Sequence, residues 1–155
     1  IKLVFIGEHR KKFGFSSKEL IGNFNKLNPK NKILVKGPYY GKKKFIEISK
    51  LDMLIQPSRS EGMPNTVLEA MSIGLPILAT KYTNIVDILK KNRCGWEINH
   101  KKNNISNFLL NLENSNKKKL YQYGLNGLRY SHKKLDIQKI SNYCFLQSKI
   151  RNYKF

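Results

Sequence analysis

The apolar positions of the chain fall into short runs separated by polar loops, with helically spaced stretches between the runs. Short apolar runs bounded by Gly, Pro or polar residues are typical of strands buried on both faces. The runs predict five strands, at Leu3–Ile6, Ile33–Val35, Leu51–Ile55, Leu75–Ala79 and Trp96–Ile98. Helical spacing predicts helices at about Lys18–Leu27, Gly41–Ile48, Thr66–Ile73 and from about Asn84. Strands alternating with helices predict an α/β fold: a Rossmann-like parallel sheet with helices on both faces.

The remaining segments carry weaker patterns. Residues Glu8 to Ser16 are polar and basic, and they are predicted to form a loop. The helix after this loop has one apolar face, formed by Leu20, Ile21, Phe24 and Leu27. The C-terminal end, Ile105 to Asn152, is helical by spacing, with breaks expected near Asn114-Ser115 and Ser131-His132. Its Leu, Ile, Phe and Tyr residues are expected to face the core.

Most of the candidate chemistry lies in one stretch, Pro57 to Thr80. It predicts the end of a strand, a polar loop, a short helix that Gly74 ends as a C-terminal cap, and a second strand. Loops at the carboxyl ends of parallel strands are where open α/β sheets bind ligands. The unpaired N–H groups and the dipole at a helix start favour an anion such as phosphate. Two carboxylates, Glu61 and Glu69, with seven residues between them, add acceptors for sugar hydroxyls.

The same residues also have structural interpretations. Thr66 to Glu69 fits a capping box, in which Glu69 folds back on the helix start. Asn65 is a preferred helix cap residue, and that role is compatible with ligand binding. Glu61 taken alone is typical of a solvated loop acid.

The sequence SEGMPNTVLEAMSIGLPILAT closely resembles the donor-binding segment of the family 4 retaining glycosyltransferases of the GT-B fold. The matching positions are Glu61, Gly62, Glu69, Ala70, Met71, Gly74 and Pro76. The resemblance implies that Glu61 is the catalytic-site residue beside the transferred sugar and that Glu69 bonds the ribose. It implies that the sugar and the diphosphate are held by Gly62, Met63, Pro64, Asn65 and Thr66. Retention is then attributed to the leaving diphosphate rather than to a protein nucleophile.

The resemblance also implies a site for the nucleobase. The loop from Gly37 to Gly41 would lie beside the base, at Gly37, Pro38 and Tyr39, with Tyr39 or Tyr40 stacking. Two turn tyrosines half-buried against the sheet are an equally good interpretation. Family members commonly have a small or Gly-rich loop where this chain has Lys81-Tyr82-Thr83-Asn84, so the sequence departs from the family there. Arg10, Lys11 and Lys12 do not match the family's Arg and Lys motif, and no role is assigned to them.

The resemblance covers Ile1 to about Ile98 in order, and the helical end more loosely. It matches one half of a two-domain enzyme, so residues 1–155 are expected to be the nucleotide-sugar-binding, C-terminal domain, truncated at its N-terminal side. The implied reaction transfers a hexose with retention from a nucleotide-diphosphate sugar to a glycan or lipid-linked acceptor, in polysaccharide biosynthesis at the cell envelope. The chain alone is expected to be incomplete as a catalyst. Alternatives are a sugar-nucleotide epimerase or phosphorylase-like GT-B enzyme, or a non-catalytic basic nucleotide- or nucleic-acid-binding module.

Composition narrows the partners. The chain has 155 residues, enough for one domain, and a net charge of +20. Lys outnumbers Arg 25 to 5 and Asn is frequent, which indicates biased genome composition. The Lys residues form many short clusters without interleaved aromatics, so we expect no nucleic acid as a partner. An anionic membrane surface is left open. Cys94 and Cys144 are isolated and no His has metal-ligand spacing, so we expect no metal, no cofactor and a reduced cytoplasmic location. The sequence contains neither a signal peptide pattern nor a membrane-spanning apolar run.

Overall fold

The computed structural model of the chain describes residues 2–8, 11–12, 15–27, 33–99, 102–113 and 117–135. These residues form an α/β fold in which parallel strands are flanked by helices, as the alternating pattern predicts. The chain divides into two compact units, Ile1–Lys44 and Phe45–Phe155.

The N-terminal unit contains two small sheets and one complete helix. Its elements are β1 (Val4–Ile6), β2 (Lys11–Lys12), β3 (Phe15–Ser16), α1 (Ser17–Leu27) and β4 (Leu34–Lys36). Strand β1 pairs in parallel with β4, while β2 and β3 form an antiparallel ribbon. The prediction of a loop from Glu8 to Ser16 is therefore wrong at β2 and β3. Strands of two residues are too short for alternating side chains to leave a pattern in the sequence.

Helix α1 carries the predicted apolar face, but that face is largely open to solvent. The exposed fractions of Leu20, Phe24 and Leu27 are 57%, 40% and 82%. The helix is tied to the start of β4 through Asn25, whose Nδ2 donates to the carbonyl of Ile33 at 2.9 Å and whose Oδ1 accepts from the Ile33 N–H at 2.7 Å.

The C-terminal unit is built on a three-stranded parallel sheet. Helix α2 (Gly41–Ile48) spans the division between the units, and the elements after it are β5 (Leu54–Gln56), α3 (Asn65–Ser72), β6 (Ile77–Thr80), α4 (Val86–Lys91), β7 (Gly95–Ile98), α5 (Lys102–Glu113) and α6 (Lys117–Lys134). The strand order is β5-β6-β7, with Ile77 of the central strand opposite Leu54 on one side and Gly95 on the other. Every residue of β6 is buried, as expected for the middle of a parallel sheet covered on both faces.

The core of this unit comes from the sheet and from the two helices that flank its central strand. Its side chains are at most 1% exposed at Val67, Ala70, Met71, Leu75, Ile77, Leu78, Ala79, Ile85 and Leu89. Helix α3 contributes the residues spaced three and four apart, which is the spacing that predicted the helix. Each large side chain buried this completely stabilises the fold by roughly 1.5–3 kcal/mol.

Helix α6 lies unusually close to the end of α3. Gly74 has φ +76 and ends α3 as predicted, with its N–H bonded to the carbonyl of Met71 at 3.0 Å. A Cβ built on Gly124 of α6 would lie 2.1 Å from the carbonyl oxygen of Gly74. Only a residue without a side chain at position 124 allows this approach.

The helical end of the chain differs from the expectation at one point. The break near Asn114-Ser115 falls between α5 and α6, as predicted, but α6 continues through Ser131-His132, where a second break was expected. Ser131 is buried, and its hydroxyl donates to the carbonyl of Leu128 at 2.8 Å, so the helix itself satisfies this polar side chain. The part of the expected helical end beyond Leu135 lies outside the described residues.

Phe108 and Tyr123 of the helical end pack on the sheet, but the expectation that the Leu residues of this end face the core is wrong at Leu110, which is 59% exposed. Trp96 of β7 stacks on Tyr123 of α6 at a centroid distance of 4.2 Å and meets Phe108 of α5 edge-on at 5.6 Å. These contacts pack α5 and α6 against β7 in the C-terminal unit.

Candidate functional site

The loop that carries Glu61 lies at the carboxyl ends of β5 and β6. The Glu61 N–H donates to the carbonyl of Tyr82 at 3.2 Å. The Asn84 N–H donates to the carbonyls of Glu61 and Gly62 at 3.3 and 3.1 Å. Glu61 thus forms an isolated parallel bridge with buried Thr83, and the loop before α3 is fixed to the loop after β6. The backbone of Glu61 is held while its side chain remains exposed.

The carboxylate of Glu61 belongs to a hydrogen-bonded group of four side chains, Gln56, Ser58, Glu61 and Thr66, here named the Glu61 cluster. Its Oε1 accepts from the hydroxyl of Ser58 at 3.1 Å and from Nε2 of Gln56 at 3.4 Å. The same Gln56 Nε2 donates to the Ser58 hydroxyl at 2.7 Å, and the Thr66 hydroxyl donates to Gln56 Oε1 at 3.4 Å. The cluster links the end of β5 to the start of α3.

The start of α3 offers two backbone donors. Its N-cap residue is Pro64, which makes no side-chain capping hydrogen bond. The N–H groups of Val67 and Leu68 bond to the carbonyl of Pro64 at 3.0 and 3.3 Å. For the N–H groups of Asn65 and Thr66, the described part of the chain provides no acceptor. These two donors and the helix dipole make the exposed helix start a favourable place for an anion.

Two structural interpretations of the helix start are wrong. Asn65 is the first helical residue, not the cap, and Thr66 is the second, so neither an Asn65 cap nor a capping box from Thr66 to Glu69 forms. The physical reason is Pro64, which is buried and extended with φ −67, so the helix begins directly after it. The side chains of Asn65 and Thr66 are exposed.

The sequence-predicted donor residues lie along this loop and helix. Glu61, Gly62, Met63, Asn65 and Thr66 are exposed, Pro64 is buried, and Glu69 is half-buried on α3. Met63 is 46% exposed, an apolar side chain beside the polar cluster. Apart from Pro64, all of these side chains have surface open to solvent.

The predicted base loop belongs to the N-terminal unit. Gly37 and Pro38 follow β4 and are exposed, whereas Tyr39 is half-buried and has Lys43 Nζ 5.3 Å from its ring centroid. Tyr40 is 72% exposed, and its hydroxyl donates to Glu8 at 3.4 Å. The interpretation as half-buried turn tyrosines therefore fits Tyr39 and is wrong for Tyr40.

Sequence reasoning missed Gln56 and Ser58. Gln56 follows an apolar run and Ser58 belongs to a polar loop, so neither pattern singles them out. The available signal was a polar residue closing an apolar parallel strand, because such strand ends border ligand sites.

The described residues contain neither a metal-binding cluster nor a membrane-spanning helix. No group of three or more His, Cys, Asp and Glu residues among them is arranged to hold a metal ion. Within the same ranges, no helix combines the length and the apolar character needed to cross a bilayer.

Comparison with known proteins identifies the family. The family described as glycosyl transferases group 1 matches residues 1–126. The chain belongs to this family. The resemblance drawn from Ser60 to Thr80 is thereby confirmed, and the family assignment extends over both compact units.

Curated relatives match over shorter segments. An uncharacterized glycosyltransferase of Methanocaldococcus jannaschii is 37% identical over 79 residues, which are 51% of this chain and 18% of that protein. A sucrose synthase of Nitrosomonas europaea is 39% identical over 49 residues, or 32% of this chain and 6% of that protein. The matched segments are less than a fifth of the length of either relative.

Solved structures share the fold. WaaG, a glycosyltransferase involved in lipopolysaccharide biosynthesis, matches with a TM-score of 0.68 and 17% identity over 98% of this chain and 38% of its own. Anabaena HepE in complex with UDP-glucose matches with a TM-score of 0.73 and 15% identity over 96% of this chain and 41% of its own. The chain thus has the fold of about two fifths of a GT-B glycosyltransferase.

Proposed function

We propose that this chain is the donor-binding domain of a retaining hexosyltransferase that uses a nucleotide-diphosphate sugar. The observation that carries the proposal is the pairing, in one exposed loop, of a fixed carboxylate with a helix start that has two backbone donors. A carboxylate accepts hydrogen bonds from sugar hydroxyls, and a helix start binds phosphate. A sugar diphosphate has both groups, adjacent to one another.

Each part of the donor then has a partner. Glu61 orients the hydroxyls of the transferred sugar. Gly62 to Thr66 hold the sugar and the diphosphate through backbone N–H groups, without a metal. Glu69 accepts from the ribose, and the leaving diphosphate is stabilised by fixed dipoles rather than by a protein nucleophile.

The proposal extends to the base, the acceptor and the location of the protein. The base would lie against Gly37, Pro38 and Tyr39, since these follow a parallel strand at its carboxyl end. The acceptor would be a glycan or a lipid-linked sugar, in line with the lipopolysaccharide role stated for WaaG. A cytoplasmic location fits Cys94, a free thiol buried in the core.

Titration of the chain with nucleotides and sugar nucleotides tests the proposal. Because HepE was solved with UDP-glucose, the series starts with UDP and UDP-glucose and extends to other bases and sugars. We expect Glu69→Ala to weaken binding by roughly 1–3 kcal/mol, the scale of a lost charged hydrogen bond. Asp52→Ala is the control, because it removes an exposed carboxylate just before β5, at the amino end of the strand and away from the candidate site.

Four outcomes would contradict the proposal. Binding of none of these ligands, or equal effects of Glu69→Ala and Asp52→Ala, would show that the loop is not a donor site. Binding of oligonucleotides without binding of any sugar nucleotide would favour a nucleic-acid-binding module. Conversion of the sugar of UDP-glucose without any acceptor would favour an epimerase.

A second proposal concerns anionic surfaces. A cavity of about 570 Å³ lies between α4 and α6, and four cationic side chains line it, from Lys91, Arg129, Lys133 and Lys134. Asp87 is the single carboxylate among its lining residues. We propose that this cleft contacts the phosphates of an anionic membrane. Each Lys or Arg near such a surface contributes about 1 kcal/mol.

Sedimentation with phosphatidylglycerol vesicles tests this second proposal. We expect binding that weakens steeply with salt and that is reduced by Arg129→Glu with Lys133→Glu. Lys117→Glu with Lys119→Glu makes the same charge change at the other end of α6 and is expected to have a smaller effect. Equal losses for the two pairs would mean that binding depends on charge spread over the whole surface. If inorganic phosphate at low concentration releases the chain from the vesicles, the cavity is a site for small anions.

A further inference from the structure

We propose that Gln56 and Ser58 are positioning residues for Glu61, holding Oε1 of its carboxylate so that Oε2 is presented to a hydroxyl of the transferred sugar. The inference rests on the proposed donor site and deepens it. It assigns roles to two residues outside the segment from Glu61 to Glu69 that the sequence singled out. Neither is proposed to touch the ligand.

The two donors converge on one oxygen. Ser58 donates to Oε1 of Glu61 at 3.1 Å and Gln56 Nε2 donates to the same atom at 3.4 Å. For Oε2, the described part of the chain supplies no donor, and the side chain is exposed. A carboxylate accepts hydrogen bonds only, so the remaining oxygen suits a ligand that donates, as a hydroxyl does.

Both donors are attached to the sheet: Gln56 lies in it, and Ser58, in the loop, is hydrogen-bonded to it. Gln56 is the last residue of β5 and pairs with Ala79 of the buried central strand. The carbonyl of Ser58 accepts a hydrogen bond from the hydroxyl of Thr80, whose side chain is 0% exposed. An exposed Glu side chain would otherwise sample many rotamers, so these bonds reduce the entropy lost when a ligand orders it.

Thr66 fixes the direction of the Gln56 amide. Its hydroxyl donates to Gln56 Oε1 at 3.4 Å, which leaves Nε2 turned toward Ser58 and Glu61. Thr66 is also one of the two residues whose backbone N–H is available at the start of α3. The proposed sugar contact and the proposed phosphate contact are therefore held by one hydrogen-bonded group.

Titration with UDP and UDP-glucose measures the sugar contact. The dissociation constant of UDP divided by that of UDP-glucose measures what the sugar adds to binding. We expect Ser58→Ala and Gln56→Leu each to lower this ratio about five- to tenfold, the size of one ordinary hydrogen bond, with little change in UDP affinity. Ser58→Thr retains a hydroxyl and should retain most of the ratio. An unchanged ratio in Ser58→Ala and Gln56→Leu overturns the inference.

Ser60→Ala is the matched control. Ser60 is exposed in the same loop, and its hydroxyl makes no hydrogen bond within the described ranges. The inference requires that Ser60→Ala leave the ratio unchanged. If Ser60→Ala lowers it as much as Ser58→Ala does, the effect comes from the loop as a whole, and a specific role for Ser58 is excluded.

A ligand-free measurement separates this inference from the proposed function. The side-chain amide resonances of Gln56 in NMR spectra should move in Ser58→Ala and Glu61→Ala and stay in place in Ser60→Ala. Amide resonances that do not respond to either replacement overturn the inference. If the amide responds as expected but the chain binds neither UDP nor UDP-glucose, the proposed function fails for this donor while the cluster stands.

Discussion

The two units of the chain bury their apolar residues to very different degrees. In the N-terminal unit, Leu27 is 82% exposed and Leu34 of β4 is 48% exposed. In the C-terminal unit, Leu75, Leu78 and Leu89 are each 0% exposed. These leucines therefore contribute little to the first unit and much to the core of the second.

This difference affects how firmly each part of the candidate site is held. The Glu61 cluster is held by the sheet of the C-terminal unit: its member Gln56 ends β5, and Thr80, at the end of buried β6, hydrogen-bonds to Ser58. The candidate base loop follows β4, a strand with two exposed apolar residues, Leu34 and Val35. Hydrogen bonds fix a side chain well only when the backbone beneath them is fixed. We therefore expect the sugar and phosphate contacts to be more sharply defined than the base contact.

The largest expected effect is on stability, and it tests the comparison directly. Leu78→Ala should reduce the free energy of unfolding by roughly 2–5 kcal/mol, because it leaves a cavity in the centre of β6. Leu27→Ala should change it by less than about 0.5 kcal/mol, because the side chain is already in water. Urea denaturation of both variants measures the difference. Similar losses would show that α1 is covered in solution and that the units are packed alike.

The sequence predicted the C-terminal unit better than the N-terminal one, for a physical reason. In α3, the spacing of Val67 and Met71 reflects burial, and Gly74 reflects a positive φ, so both are visible locally. In α1, the same kind of apolar face is present but open, and no local pattern distinguishes a covered face from an open one. Burial is a property of what lies opposite.

The candidate site was predictable to the same extent. The positions of Glu61 and Glu69 followed from a resemblance, and the loop, helix and strand around them from local pattern. The hydrogen bonds among Gln56, Ser58 and Glu61 depend on side chains brought together by the strand end and the turn after it, which composition does not encode. The helix start was missed by one residue, because the cap is a proline rather than the expected Asn65.

The second prediction compares two glycines in helices, one from each unit. Gly124→Ala should destabilise the chain by about 1–3 kcal/mol, since its Cβ would meet the carbonyl of Gly74 and push α6 away from α3. Gly22→Ala in α1 meets no atom within 4 Å and should stabilise by roughly 0.5–1 kcal/mol. Thermal unfolding by circular dichroism separates them. Two stabilising changes would mean that α6 is not held at this distance.

The third prediction concerns the candidate base loop. Tyr39→Ala should weaken UDP binding by about 1 kcal/mol through lost stacking, whereas Tyr40→Ala, at an exposed ring, should have no effect. Calorimetric titration of the two variants makes the comparison. If Tyr40→Ala has the larger effect, the exposed ring is the stacking partner, and if neither changes affinity, the base does not lie against this loop.

The smallest expected effect tests how completely the C-terminal core excludes water. Burial raises the pKa of the Cys94 thiol from 9.0 to about 11, because desolvation disfavours the thiolate. Well below pH 9 the thiol is protonated in the folded and the unfolded chain, so its contribution to the free energy of unfolding is fully present. This contribution is lost as pH rises from about 9 to about 11, because the thiol of the unfolded chain ionises more readily. Between pH 8 and pH 9.5 the loss should be just under about 1 kcal/mol. Cys94→Ala should lose less stability over the same interval, and the difference between the two chains cancels the titration of Tyr and Lys. Parallel pH dependences of the two chains would mean that solvent reaches position 94, and that the core is less closed around Cys94 than around β6.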